Sequence, residues 1–445
     1  MPRISSQPTA GLTYSPLDSR YYDPAQLRME MERVLDICHG CRVCFNLCPS
    51  FPALFKAVDA NDGDVLKLTE AERDYVVDSC YQCKLCYIKC PYTPDDGHAF
   101  QLDFPRLIQR AKAVKVRSTG IGLRERLLAM PDLLGKLARL TPRLANLANR
   151  LKPNRLILEK LLGIHRHKLL PEFHGETFQA WFNRNQGRFD LNGGNGKAFF
   201  FPTCFVNYNN PGVGKAAIEI FARNKVTVRC DYKQCCGMPA LDGGNVARAQ
   251  KMARENVARM MPYVREGYKI VAVNPTCSLM FRKEYPDLIG GEDVRAFSEA
   301  VMDPNEFFNA MRKDGRFDTD FRSTPGAIAY HVPCHLRAQN IGFRSRDMMN
   351  AIGGSTEVEL VAECCGHDGT WAMKTEWFAL SLDSGKKAFE GMKRQAGAQM
   401  VTDCPLAAIQ FEQATGTRPL HPLQVLARAY REDGFPTPVP PKPGV

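Results

Sequence analysis

Apolar positions recur with two different periods along this chain of 445 residues. Near the N-terminus the period is helical. Leu27, Met31 and Val34 fall on one face behind Asp23-Pro24, a cap followed by proline at the first helical position. Thr69-x-x-Glu72 predicts a second helix start ahead of Tyr75 and Val76. Leu133, Leu137, Leu140, Leu144, Leu147 and Leu151 then step by 4, 3, 4, 3 and 4, a helical stripe that Thr141-Pro142 is expected to break in two. After about residue 190, short β-rich runs alternate with helix-like stretches such as GKAAIEIFARN and ARAQKMARENVARMM. That alternation predicts β-α units on a parallel sheet, with ligands outside the carboxyl ends of the strands. No apolar run approaches the roughly 18 residues needed to span a bilayer. The C-terminal GFPTPVPPKPGV predicts a disordered or extended tail.

The β-rich half repeats itself. KAFFFPTC ending at Cys204 parallels GAIAYHVPC ending at Cys334, 130 residues on. KQCCG at Cys235-Cys236 parallels AECCG at Cys364-Cys365, and IVAVNPTC ending at Cys277 parallels QMVTDC ending at Cys404. Landmarks at nearly constant offset mark a duplicated unit. Each copy is expected to gather four cysteines at one sheet edge: Cys204, Cys235, Cys236 and Cys277, then Cys334, Cys364, Cys365 and Cys404.

Cysteine also dominates the N-terminal half. Cys38-x2-Cys41-x2-Cys44-x3-Cys48-Pro49 is repeated as Cys80-x2-Cys83-x2-Cys86-x3-Cys90-Pro91. This is the ferredoxin spacing for two [4Fe–4S] clusters, in which the fourth cysteine of each run reaches across to the other cluster. Cys38, Cys41, Cys44 and Cys90 then hold one cube, and Cys80, Cys83, Cys86 and Cys48 the second. Zinc sites pair knuckles a dozen or more residues apart, and disulfide scaffolds belong to short secreted chains. Residues 1–25 contain no apolar core of a signal peptide, so the 17 cysteines point to a reducing, cytoplasmic compartment.

The formal net charge of +11 is concentrated between Arg106 and Lys168, where sixteen Lys or Arg face only Glu125, Asp132 and Glu159. Two readings stay open for this segment. It is a helical connector whose leucines pack on the protein's own core, or a basic amphipathic surface that meets anionic lipid, on the inner face of the cytoplasmic membrane, or an acidic partner. Nucleic acid is disfavoured, because no aromatic interleaving accompanies the charge.

The ladders together with FFPTCFVNYNNPGVGKA, CCGMPAL, YHVPCH, CCGHDGT and VTDC resemble a known family. It comprises the iron–sulfur subunits of anaerobic glycerol-3-phosphate dehydrogenases and, more broadly, heterodisulfide-reductase-related proteins with two cysteine-rich CCG domains. The resemblance implies an α+β multidomain chain: a helical two-cluster ferredoxin domain followed by two tandem α/β CCG domains. The expected divisions are an extension at 1–25, the ferredoxin domain at 26–105, the basic connector at 106–190, CCG domains at 191–320 and 321–432, and a tail at 433–445. It also implies electron transfer between a flavoprotein dehydrogenase and the quinone pool, with two [4Fe–4S] clusters, one or two further clusters in the CCG domains and no flavin in this chain. The alternative is a disulfide- or peroxide-directed oxidoreductase, or its reductant, working at the second CCG site.

Two departures shape that expectation. A full CCG motif closes with C-x-x-C, but Met280 and Ala407 stand where the last cysteines belong, which argues against a five-cysteine noncubane cluster. Phe201, Phe205 and Met238 of the first repeat become His331, His335 and His367 in the second. Histidine titrates near neutrality, so the second site is expected to couple electrons to protons. Cys230 reads as a core or surface thiol, and Gly212-x-Gly214-Lys215 lacks the spacing of a phosphate loop.

Overall fold

The computed structural model describes residues 4–439; residues 440–445 of the expected tail lie outside them. Both predicted helix starts form. Asp23 accepts hydrogen bonds from the Ala25 and Gln26 amides at the head of helix Pro24–Cys41. Thr69 and Glu72 complete a reciprocal capping box at the head of helix Glu70–Ser79. These two pack with helices Ser50–Asp59 and Phe104–Thr119 around Leu27, Val34, Phe51, Val76, Leu107 and Ile108. The expected division at 105/106 therefore falls inside a helix whose apolar face completes this first core.

The segment ahead of the first helix is fastened by two buried arginines. Arg33, 0% exposed, pairs with Glu30 at 2.7 Å and donates to the Ser6 and Phe100 carbonyls. Arg110, also 0% exposed, donates to the carbonyls of Gly11, Arg20 and Tyr21.

The second half holds two parallel sheets of matching topology. Strands β1 (Lys197–Phe201), β2 (Thr227–Arg229), β3 (Lys269–Ala272) and β4 (Val301–Met302) stand in the order β2-β1-β3-β4. After β5 (Ser323–Thr324), strands β6 (Ala327–His331), β7 (Glu357–Val361) and β8 (Gln399–Thr402) stand in the order β7-β6-β8. Phe201 registers with Ala272 in one sheet as His331 does with Thr402 in the other. The fourth strand survives in the second copy only as a bridge between Val401 and Leu420. Residues 437–438 form β9, antiparallel to β5, so the start of the expected tail is an ordered edge strand.

The repeats share a core. Helix Pro211–Arg223 of the first packs on Pro422–Ala429 of the second, while Arg344–Asn350 packs reciprocally on Pro304–Lys313. Phe200, Phe221, Tyr330, Val401 and Leu423 belong to one apolar cluster. A buried polar chain crosses it: Asn305 donates to Ser345 Oγ at 2.9 Å, Ser345 to Asp403 at 2.6 Å, and Tyr330 to the same carboxylate at 2.5 Å. Each member thereby satisfies a group that would be costly to bury alone.

The basic connector forms helices Leu123–Leu128, Pro131–Ala138, Pro142–Ala148 and Lys152–Leu162, with the break before Pro142 that the sequence predicts. The leucines of the 133–151 stripe are not buried in the core. Leu133, Leu137, Leu140, Leu144, Leu147 and Leu151 are 43% to 72% exposed, which overturns the internal-packing reading.

Replacing Arg33 with Met leaves the Glu30 carboxylate buried without its partner. The expected cost is about 3–5 kcal/mol. Thermal unfolding should shift down, and limited proteolysis should cut ahead of residue 24 before it cuts the repeats.

Candidate metal centres

The first ladder turns out of helix Pro24–Cys41 through Arg42, held at φ 55°. Cys38, Cys41, Cys44 and Cys90 line one small cavity with Ile37, Phe51 and Leu102. The structure thus brings the fourth cysteine of the second ladder to the first three of the other. Cys48 lies instead with Cys80, Cys83 and Cys86, whose charges act on one another. Burial pushes the Cys44 thiol up to about 12 and those of Cys38, Cys83 and Cys86 well above the ordinary thiol value. Four sulfurs in a dry pocket are poor thiolates on their own, and a bound cationic metal is what lets such groups ionise. Both ladder sets therefore fit a metal cluster, and none of these cysteines is in a disulfide.

The loop of the second ladder is clamped by both repeats. Gln82 and Lys84 sit at φ 62°, a left-handed conformation uncommon in non-glycine residues. Lys84 forms a buried ion pair with Glu284, which lies in a π-helical turn, Met280–Glu284, just past Cys277. The Gln82 carbonyl accepts from His335 Nε2 at 3.1 Å. The Tyr81 hydroxyl lies 3.2 Å from the Leu47 carbonyl and 3.1 Å from Cys364 Sγ, and the Trp371 indole donates to the Asp78 carbonyl at 3.1 Å.

In the first repeat the four cysteines meet at the strand ends. Cys204, Cys235, Cys236 and Cys277 line one cavity, a set of four sulfurs suited to one metal group. Thr203, before Cys204, is fully buried at φ 72°, a strained angle for a β-branched residue. Asp132 reaches in from the connector. Its Oδ2 accepts from the Cys235 amide at 2.7 Å and its Oδ1 from the Tyr232 hydroxyl at 2.6 Å. Burial, aided by the Cys235 charge, raises its carboxyl to about 6. The sequence singled out Asp132 only as a break in a basic run. Phe201, Phe205 and Met238 are buried around the set and Met280 fills a dry core position, as Ala407 does in the second copy.

The second repeat is arranged differently. Cys334, Cys365 and Cys404 line one small cavity with His331, His335 and His367. Cys364 stands apart, turned toward Tyr81 and Cys83. Cys334, His335 and Asp368 offer ligand atoms within 4.8 Å of one another, the one such group among the described residues. The three histidines are not alike. Burial lowers His331 to about 3 and drives His367 well below the imidazole range, with neither ring nitrogen of His367 hydrogen-bonded. Burial also opposes charge on His335, but Asp368, 3.1 Å from Nε2, outweighs it and raises the pKa. The expected trio of titrating groups narrows to one, because two imidazoles lack a counter-charge. Cys230 hydrogen-bonds Gln179 away from both sets.

Two β-α repeats joined to a helical ladder domain, with cysteines gathered at the strand ends, define an iron–sulfur electron-transfer protein of the oxidoreductase class. The cysteine-rich domain description, CCG, matches residues 198–282 and 328–412, and the Citrate utilization protein B Fer4-like domain matches 31–118. The chain belongs to this CCG-domain family. It is 29% identical over 328 residues to a subunit of the anaerobic glycerol-3-phosphate dehydrogenase of Escherichia coli (strain K12), covering 73% of this chain and 81% of that one. It is 30% identical to lactate utilization protein A of Bacillus thuringiensis (strain Al Hakam) over 184 residues, 40% of this chain and 75% of the relative. A subunit of the fumarate reductase (CoM/CoB) of Methanothermobacter marburgensis is 26% identical over 280 residues, 60% of this chain and 54% of that one.

Asp132→Ala leaves the Tyr232 hydroxyl and the Cys235 amide without their acceptor. Loss of about 1–3 kcal/mol is expected. Hydrogen exchange should quicken in helix Pro131–Ala138 and leave helix Pro24–Cys41 unchanged.

Proposed function

We propose that this chain is the iron–sulfur subunit that carries electrons from a flavoprotein dehydrogenase, of the glycerol-3-phosphate dehydrogenase kind, to the quinone pool. The observation that carries this reading is the contact at Tyr81, where the second ladder meets Cys364 of the second repeat. Sulfur sets in series are what a relay needs, since iron–sulfur centres move single electrons at potentials set by burial and by hydrogen bonds to sulfur. In this reading Cys38, Cys41, Cys44 and Cys90 hold one [4Fe–4S] cluster and Cys80, Cys83, Cys86 and Cys48 the other. Cys204, Cys235, Cys236 and Cys277 hold a further metal group, and Cys334, Cys364, Cys365 and Cys404 form the corresponding set of the second repeat. Residues 191–320 and 321–432 are the two CCG units.

The dehydrogenase reading is preferred to disulfide or peroxide chemistry at the second site. That cavity is small and enclosed by buried side chains, with His335 tied to Asp368 and Thr276. It suits an electron-carrying centre better than a site open to a bulky substrate.

The connector supports reading a bilayer contact into this function. No helix among the described residues is long and apolar enough to cross a membrane. Exposed leucines flanked by exposed Lys136, Arg139 and Arg143 have instead the chemistry of an interfacial surface, with apolar side chains for the acyl boundary and cations for anionic headgroups.

Three measurements test this. With glycerol 3-phosphate the isolated chain should stay oxidised, because an alcohol gives up hydride to a flavin that a partner supplies. Adding the flavoprotein should bleach it, and substrate-driven bleaching without flavin would overturn the subunit reading. Cys48→Ser should remove the centre of Cys80, Cys83 and Cys86 while sparing that of Cys38; loss of the Cys38 centre alone would refute the crossed assignment. Binding to phosphatidylglycerol vesicles should weaken with salt and with Leu140→Ser/Leu144→Ser. Binding indifferent to both would remove the connector from the membrane.

A further inference from the structure

Three of the connector helices, Leu123–Leu128, Pro131–Ala138 and Lys152–Leu162, do more than present leucines outward; they also roof a cavity of about 570 Å³. Its floor is the sulfur set Cys204, Cys235, Cys236 and Cys277, and its walls include Leu128 and Leu158. This volume lies within the usual span for small-molecule sites, and the lining is dominantly apolar with a few convergent polar groups, as such sites require. Leu134 and Leu137 belong both to the lining and to the exposed face, at 36% and 57% exposure, so the cavity opens where the leucine surface begins.

We propose that this cavity binds an isoprenoid quinone, its ring over the sulfur floor of the first repeat and its tail leaving past Leu134 and Leu137 into a bilayer. The inference rests on the quinone reading above and gives it a place. Most of the lining is apolar and would leave a polar, water-soluble substrate poorly solvated, whereas an isoprenoid chain is at home against it. The cations beside the mouth set it against an anionic lipid surface, where such a ligand is dissolved.

Polar groups line both ends: Arg124 and Asn149 on the connector wall, and another group near the sulfur floor. Asn274 and Thr276 line the cavity beside Cys277, and Asp242 lines it from helix Met238–Asp242. Asp242 Oδ1 is buried and has no hydrogen-bond partner among the described residues. Burial, with the Asp368 carboxylate opposite, raises Asp242 to about 7, against the opposing pull of His335, Lys84 and Lys112. A protonated carboxyl at that point has a free hydrogen bond to give to a ring carbonyl. Asp242 is a positioning residue in this scheme, and Asp242→Asn, which keeps a donor, should bind better than Asp242→Leu.

The test uses the full chain with its iron–sulfur centres intact and a photoreactive azidoquinone carrying a short isoprenoid tail. Label should map by mass spectrometry to the connector segments around residues 127–137 and 158–164. Filling the cavity with Leu128→Trp/Leu158→Trp should weaken binding about tenfold or more. Leu134→Ser/Leu137→Ser, confined to the mouth and harmless to the core, should weaken it as well. Label elsewhere, affinity unchanged in both variants, or equal competition by a saturated fatty acid would each overturn the site. If the wild-type chain with its flavoprotein still reduces a short-chain quinone while the label maps elsewhere, the relay stands and this cavity falls. If the wild type neither binds nor reduces quinone, the quinone reading falls with it.

Discussion

The molecule depends on one buried turn, the loop from Cys80 to Cys86. It carries three of the ladder cysteines, and it is also the surface on which the N-terminal domain meets both repeats. Its backbone holds two left-handed residues, Gln82 and Lys84, a conformation that costs free energy and persists only where surroundings fix it. Here the fixing groups come from far along the chain: Glu284 pairs with Lys84, His335 donates to Gln82, and Lys112 donates to the Cys80 carbonyl at 3.0 Å. The Lys84–Glu284 pair is buried, so neither charge has water to fall back on. Separating the domains would strand both.

That clamp explains why the two repeats are no longer equivalent. The first keeps its four cysteines together on the floor of the connector-walled cavity, with Asp132 of the connector accepting from the Cys235 amide. The second divides its cysteines. Cys364 turns toward the ladder, and His335, where the first repeat has Phe205, supplies the hydrogen bond that locks Gln82. The phenylalanine-to-histidine exchange is thus explained by docking: the imidazole bridges Thr276 of the first repeat, Asp368 of the second and the ladder loop.

Much of this was legible in local sequence. Ladder spacing indicates which sulfurs share a pocket, because the three-residue steps and the following proline are local geometry. The duplication is visible because strand ends and cysteines recur at fixed offsets. What the sequence concealed lies in contacts between distant residues. Nothing near Lys84 announces Glu284 two hundred positions away, and nothing in a basic run marks Asp132 as the acceptor for Tyr232 and the Cys235 amide. The leucine stripe illustrates a different limit: periodicity shows that a helix has an apolar face, but not whether protein or lipid covers it. Likewise, histidines beside cysteines look titratable until burial and the absence of a counter-charge remove two of the three from the neutral range.

The continuity of the sulfur sets through the Cys80–Cys86 loop is tested most directly by electron paramagnetic resonance of the chain during stepwise anaerobic reduction. Centres as close as the Tyr81 contact implies should broaden one another's signals once both are reduced, with the interaction lost when Cys48 is replaced and the second ladder's centre with it. Signals that remain sharp and additive in the fully reduced protein would contradict the relay.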